Sequence, residues 1–179
     1  MPIVEIDFVD GLKLLYKPYS VDHKALLLAS SDEARKANIM PFTSWFVSAT
    51  YPTGWRFSAY IFTGHYSHYL VQRIGQFTVN VPRDGMDDIV KYCGSNSGRD
   101  HDKFRELGLS RIDSKYVIPP IIGECAVQME CETQRTYPFT MTFPGQEKSD
   151  MKMTVFESEI LAVYARDDIL REMIDSRTQ

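Results

Sequence analysis

Along the chain, apolar and polar positions alternate in short runs more often than they recur every third or fourth residue. The clearest run, Phe77-Thr78-Val79-Asn80-Val81, puts Phe77, Val79 and Val81 on one face and Asn80 on the other. That is the two-residue period of a half-buried strand, and Pro82 ends it by lacking an N–H. β-Branched and aromatic residues fill five further stretches, Lys24 to Ala29, Thr43 to Tyr51, Arg56 to Phe62, Gly123 to Thr133 and Lys152 to Ala165. With Gln76 to Val81 these are the predicted strands. Helical periodicity is confined to four short segments. Ser67 is placed to cap a helix running to Ile74, with Leu70, Val71 and Ile74 on one face and Gly75 as a left-handed stop. A second helix is predicted from Met86 to Cys93, stopped by Gly94, and a third from Asp100 to Leu107, with Asp100 as its cap, Phe104 and Leu107 inward and Gly108 at its end. A fourth runs from Asp168 to about Ser176 behind Asp167, with Ile169, Leu170, Met173 and Ile174 as a stripe for core or dimer contact. Long strands broken by short helices, without regular strand–helix alternation, predict a mainly β fold: an antiparallel β-barrel with short peripheral α-helices.

The chain has 179 residues, and the polar run from Pro144 to Asp150 reads as a loop, so residues 1–179 are expected to form a single domain. With 44% hydrophobic and 25% charged residues, disordered, collagen-like and coiled-coil readings lose their footing. The 20 Lys and Arg against 24 Asp and Glu leave a net charge of −4, without the basic excess that nucleic acid demands. No apolar run approaches the roughly 20 residues that span a bilayer, and Met1 to Asp7 lack the layout of a signal peptide, so no membrane role is expected and the cytoplasm is the default compartment. Cys93, Cys125 and Cys131 are odd in number and lack CxxC spacing, which predicts buried, reduced thiols and no metal site.

Candidate chemistry concentrates in three stretches that mix small polar residues with aromatics. The first is Asn38 to Trp45, leading into a strand. The second is Thr63-Gly64-His65-Tyr66-Ser67-His68-Tyr69, where a helix start and the Ser67 hydroxyl suit an anionic group such as phosphate, and a protonated His65 would add charge. The third, Cys93 to Phe104, packs glycines, hydroxyls and two cations around a helix start and is able to wrap an anion or a polar ring edge. Each stretch also serves without any ligand, as a helix cap or a solvated loop. No GxGxxG after a strand, GxxxxGK[ST] or HExxH occurs. Taken from the residues alone, the picture stops at a barrel with one or two anion-friendly helix starts near aromatics.

The third stretch, Cys93-Gly94-Ser95-Asn96-Ser97-Gly98-Arg99-Asp100-His101-Asp102-Lys103-Phe104 followed by Leu107-Gly108-Leu109, resembles the signature of the flavin reductase-like family of FMN-binding split barrels, which includes the flavoredoxins. Supporting matches are Asn38 to Trp45, His65-Tyr66-Ser67 before Gln76 to Pro82, and Pro119-Pro120-Ile121 with Gly123-Glu124-Cys125. The resemblance covers about Leu26 to Arg166 and implies a split barrel that binds FMN as a homodimer. It implies flavin contacts from Asn38, Met40, Thr43, Ser44 and Trp45, and from Ser58, Ala59 and Tyr60 on the next strand. It further implies phosphate contacts around His65, Tyr66 and Ser67, and closure of the site by Ser97, Gly98, Arg99 and Lys103. Such a site needs no protein nucleophile, because the cofactor carries the chemistry.

Where many reductases of the family have a histidine opening a late strand and a glycine further along it, this chain has Met153 and Ser158, which bears on direct NAD(P)H oxidation more than on FMN binding. Position 65 is His where the family often has arginine. Three functions follow as expectations. The first is an FMN-dependent reductase taking hydride from NADH or NADPH. The second is a flavoredoxin-type carrier exchanging electrons with a redox protein partner, and the third is a barrel that has lost flavin.

Overall fold

The computed structural model describes residues 2–15, 25–50, 54–141 and 151–175. In chain order the elements are β1 (Ile3–Ile6), α1 (Phe8–Leu15), β2 (Leu26–Ser31), β3 (Ala37–Phe42), β4 (Trp45–Thr50), β5 (Gly54–Phe62), α2 (Tyr66–Ile74) and β6 (Gln76–Val81). They continue with α3 (Asp87–Ser95), α4 (Lys103–Glu106), β7 (Arg111–Ile112), β8 (Ile121–Ile122), β9 (Val127–Met141), β10 (Met151–Arg166) and α5 (Asp167–Asp175). Every strand pair is antiparallel, and the main sheet runs β3-β2-β6-β9-β10-β5-β4, with β1 on the far end of β10. The mainly β expectation holds, but the ladder is not closed, because β3 and β4 end the order without pairing. The sheet still curls on itself. Phe57 of β5 lies 6.2 Å from Phe77 of β6 and 6.1 Å from Phe42 of β3, strands well apart in that order. One face of every large strand feeds this core, where each fully buried side chain contributes roughly 1.5–3 kcal/mol.

The boundaries move where local hydrogen bonds outweigh composition. The stretch from Asn38, expected to lead into a strand, is largely the strand β3 itself, and its Pro41 is tolerated because β3 is an edge. The first predicted strand settles at Leu26–Ser31 and the next at Trp45–Thr50, with Lys24 and Tyr51 outside the described residues. The predicted strand from Gly123 begins only at Val127, after a turn, and runs on to Met141. Ser67 is not the cap of α2: His65 holds that position without a side-chain bond, and Ser67 lies inside the helix, whose left-handed stop at Gly75 (φ 72°) is as expected. Helix α3 passes through Gly94 to Ser95. The third helix shrinks to Lys103–Glu106 because Asp102, not Asp100, accepts the Arg105 N–H, while the N–H groups of Asp100 and His101 turn back to the Ser97 carbonyl. Helix α5 begins at Asp167 and buries Ile169; Ser176 and the 144–150 loop lie outside the described residues, and the side chains of Met173 and Ile174 are not described. Strand β1 and helix α1 have no counterpart among the predicted elements.

The outward face of β6 and β9 is the least expected feature. The alternation predicts Asn80 away from the core, and Gln76, Thr78, Gln128 and Glu130 share that side. That side is buried too, under an irregular segment, residues 113–126. Thr78 Oγ1 donates to Pro120 O (2.7 Å), and Asn80 Oδ1 and Gln76 Oε1 accept from Ile122 N and Ile118 N (both 2.9 Å). Gln128 Nε2 donates to Cys125 O (2.7 Å). The fully buried Glu130 carboxylate accepts from the backbone N–H groups of Lys115 (2.8 Å), Tyr116 (2.6 Å) and Val117 (3.1 Å) and from the Tyr164 hydroxyl (2.7 Å). A segment with almost no ladder of its own therefore satisfies its backbone through side chains of the sheet. With this segment, α3 and α4 cover β2 and β3 through a second apolar cluster that includes Leu27, Ile39, Cys93, Phe104 and Ile122.

Candidate functional site

A cavity of about 510 Å3 opens where the free edge of β3 meets the start of α2 and the end of α3. Strand β3 contributes Asn38, Met40 and Pro41; the turn into α2 contributes Gly64, His65, Tyr66 and Ser67; α3 and the loop after it contribute Cys93 to Arg99; Lys103 comes from α4.

Asn38 sits at the centre of this arrangement. It is only 3% exposed, its Nδ2 donates to Ser67 Oγ at 2.7 Å, and its Oδ1 is a buried acceptor with no hydrogen-bond partner. A buried amide left half-satisfied is costly, and it marks a place where a ligand donor would be welcome. The loop after α3 closes onto the same amide: a Cβ on Gly98 would fall 1.9 Å from Asn38 Oδ1, so only glycine fits. At the start of α2, His68 N and Tyr69 N already donate to His65 O, whereas the first N–H groups of the helix have no intrahelical acceptor and face the end that His65, Tyr66 and Ser67 line. The Arg99 guanidinium lies 5.1 Å from the Tyr66 ring centre, linking the loop to α2.

Lys103 is also 3% exposed, and its Nζ donates to Ile39 O (2.6 Å) and Cys93 O (2.7 Å). Two of its three donors thus tie the β3 edge to the end of α3, leaving one for the cavity it lines. Burial pushes the Lys103 pKa down. Burial raises the Cys93 thiol to about 11, partly offset by Lys103, so Cys93 is a protonated thiol near neutral pH. His65 is pushed down by desolvation and then by the Lys103 charge. The cationic His65 contemplated from the sequence is therefore disfavoured. His68, absent from the predicted site, is buried, meets Thr154 Oγ1 at 2.8 Å and is lowered by desolvation and then by His65.

Nine of the sequence-predicted residues therefore come together: Asn38, Met40, His65, Tyr66, Ser67, Ser97, Gly98, Arg99 and Lys103. Six do not join this lining. Ala59 is fully buried in the core, and the Trp45 ring stacks on Phe57 at 5.9 Å. Ser58 and Tyr60 fall on the outward face of β5, opposite Phe57 and Ala59, and Thr43 and Ser44 form the exposed turn between β3 and β4. Pro41, Gly64 and the Cys93–Asn96 run also line the cavity, beyond the predicted contacts but inside the stretches that the sequence singles out. Cys93, Cys125 and Cys131 are free and buried, and among the described residues no three His, Cys, Asp or Glu side chains gather to hold a metal.

Comparison with known proteins places the chain in a family context. A family model for the flavin reductase like domain matches residues 20–179. An uncharacterized protein of Archaeoglobus fulgidus is 37% identical over 70 residues, 38% of this chain and 40% of that protein's length. Among solved structures, flavoredoxin from Methanosarcina acetivorans is 26% identical over 80% of this chain and 68% of its own, with a TM-score of 0.62. Flavoredoxin of Desulfovibrio vulgaris (Miyazaki F) is 21% identical over 80% and 70%, with a TM-score of 0.66. Nitrilotriacetate monooxygenase component B from Bacillus cereus is 17% identical over 92% and 79%, with a TM-score of 0.67. These last two speak for the shared fold alone.

Proposed function

Because the chain belongs to the flavin reductase-like family, we propose that its cavity holds FMN and that the protein is an NAD(P)H-dependent flavin oxidoreductase. The observation that carries this reading is the unpartnered, buried Oδ1 of Asn38, a side chain that lines a cavity which also presents a helix start. A flavin ring edge offers an N–H donor for that oxygen, and a phosphate suits the first N–H groups of α2 together with the Ser67 hydroxyl. The remaining Lys103 donor and the Arg99 guanidinium add positive charge to the lining. The volume of about 510 Å3 falls inside the usual range of roughly 300–1,000 Å3 for small-molecule pockets. When bound, FMN supplies the hydride- and electron-accepting chemistry. The chain's part is to hold it: Asn38 orients the ring edge, Gly98 lets the 96–99 loop close, and buried Lys103 keeps both walls in register.

A carrier that trades electrons with a redox protein is favoured by one observation. At position 153, where the family pattern has a histidine, Met153 is 2% exposed and does not line the cavity, so that strand offers no imidazole to a nicotinamide. A homodimer is supported by the outward face of β4, β5, β10 and β9, where Phe46 is 58% and Tyr137 44% exposed and Tyr60 meets Phe139 edge-on at 6.1 Å. Pairing on that face would bury these rings and gives Ser58 and Tyr60 a role away from their own cavity. The free, buried thiols fit a reducing compartment such as the cytoplasm. No helix among the described residues is long and apolar enough to cross a membrane.

The test is an absorption spectrum of the protein with FMN, followed by anaerobic NADH and then NADPH. A bound-flavin spectrum that bleaches with either nucleotide is expected. A bound spectrum that stays oxidised with both transfers the function to the carrier, and absence of a bound-flavin spectrum overturns the cofactor reading.

The histidines beside the cavity give a pH expectation. His65 and His68 both have folded pKa values below the ordinary 6.5, so the unfolded chain binds more protons there. Their contribution to stability is present above about pH 6.5 and is lost as the pH falls below it. Urea unfolding at pH 5.5, 6.5 and 7.5 should show stability dropping on the acid side, with a shallower drop in His68→Gln.

A further inference from the structure

A second concavity of about 300 Å3 lies beside the first, on the other side of the start of α4. Lys36, Arg105 and Arg111 line it together with one carboxylate, Asp102, over an apolar floor that includes Phe104 and Leu109. Three cations against one carboxylate is unlike the chain as a whole, whose net charge is −4. None of the three has a carboxylate partner among the described residues.

The Arg111 guanidinium and the backbones that carry Lys36 and Arg105 are also held in place. Arg111 Nη2 donates to Arg35 O at 2.9 Å. Lys36 closes the β2–β3 turn, where Asp32 Oδ1 accepts its N–H at 2.8 Å and Arg35 adopts φ 63°. Asp102 accepts from Arg105 N at 3.2 Å, so that carboxylate is already engaged as the cap of α4. Such an arrangement fits a phosphate ester joined to a flat ring: forked guanidiniums and an ammonium for the anion, an apolar floor for the ring.

Its place along β3 narrows the ligand. Ala37 borders this cleft, and Asn38, Met40 and Pro41 border the larger cavity. At about 3.3–3.4 Å per residue the larger cavity therefore starts beside the cleft and runs on to roughly 13 Å from Ala37 along the same strand. Two adjoining concavities on one strand suit a dinucleotide lying along the β3 edge with one end in each. We propose that the Lys36–Arg105–Arg111 cleft is a subsite for the phosphorylated adenosine end of the nicotinamide donor, and that the protein therefore prefers NADPH, whose adenosine carries an extra phosphate, to NADH. This rests on the reductase reading above.

The test is calorimetry on the FMN-loaded protein and on its Lys36→Gln/Arg105→Gln variant, both exposed positions, with adenosine 2′,5′-bisphosphate, adenosine 5′-monophosphate and inorganic phosphate as probes. The bisphosphate should bind the parent protein roughly tenfold or more tightly than the other two, and lose roughly tenfold or more in the variant. The flavin spectrum and melting temperature should be the same in both proteins. No bisphosphate binding, equal binding by the variant, equal binding of inorganic phosphate, or displacement of FMN by the bisphosphate each overturns the subsite. So does salt-sensitive docking of an acidic electron-carrier protein that the variant loses while the bisphosphate gives no heat, which makes the cleft a protein-docking patch. A protein that takes up no FMN overturns the cofactor reading itself, whereas FMN uptake without bisphosphate binding overturns the subsite alone.

Discussion

Replacing Glu130 by alanine should lower the melting temperature by about 10–20 °C, the largest stability effect expected of any single polar residue here. Its carboxylate takes three consecutive backbone N–H groups, from Lys115, Tyr116 and Val117, and the hydroxyl of Tyr164. All four donors lose their acceptor in the variant, and a buried donor left unpaired costs about 1–3 kcal/mol. The segment can relax and admit water, so the sum falls short of additive, and a net loss of about 4–6 kcal/mol is reasonable. For a domain of this length each kcal/mol moves the melting temperature by roughly 2–4 °C. Tyr164→Phe removes a single donor and should cost only about 1–2 kcal/mol. Burial and the neighbouring carboxylate already hold the Tyr164 hydroxyl in its protonated, donating form by raising its pKa. Thermal melts followed by circular dichroism decide the matter. A Glu130→Ala melt within about 3 °C of the parent would mean that the 113–126 segment is held by Gln76, Thr78, Asn80 and Gln128 without the carboxylate.

That cluster shows what a linear reading misses. Alternation in Phe77 to Val81 correctly assigns Asn80 to the face away from the core. Alternation reports a change of face, though, and says nothing of what covers the second one. The partners of Asn80 and Glu130 are backbone groups of a coil segment with no periodicity of its own. The site divides in the same way. Residues in loops and at helix starts, such as Ser67, Gly98 and Lys103, were legible because unusual residue types cluster there and match a family signature. Asn38 and Met40 on β3 join them, but the residues of β5 do not: the choice between Ala59, which enters the core, and Ser58 and Tyr60, which face outward, depends on how the sheet curls. The cap of α2 failed for a local reason. Serine is a good cap, but Asn38 from a distant strand donates to Ser67 Oγ, and the helix starts two residues earlier, behind His65.

Gly98→Ala should weaken FMN binding by roughly fivefold to 150-fold, the largest binding effect of any one-methyl change. The new methyl would stand 1.9 Å from Asn38 Oδ1 and 2.4 Å from Asn38 Cγ, so either the 96–99 loop backs away or the amide rotates. Rotation breaks the 2.7 Å bond from Asn38 Nδ2 to Ser67 Oγ at the start of α2. Retreat of the loop carries Arg99 away from Tyr66. Overpacking of this kind costs about 1–3 kcal/mol, and here the cost falls on the walls that must close around the ligand. The coupling has a specific signature. In an Asn38→Ala background the obstructing amide is gone, so adding Gly98→Ala should cost little further, and the two effects should be strongly non-additive. Flavin titrations followed by fluorescence quenching on the parent, both single variants and the double variant measure this. Additive losses would show that the loop and the Asn38 amide act on the flavin independently, and an undiminished affinity in Gly98→Ala would remove the 96–99 loop from the site.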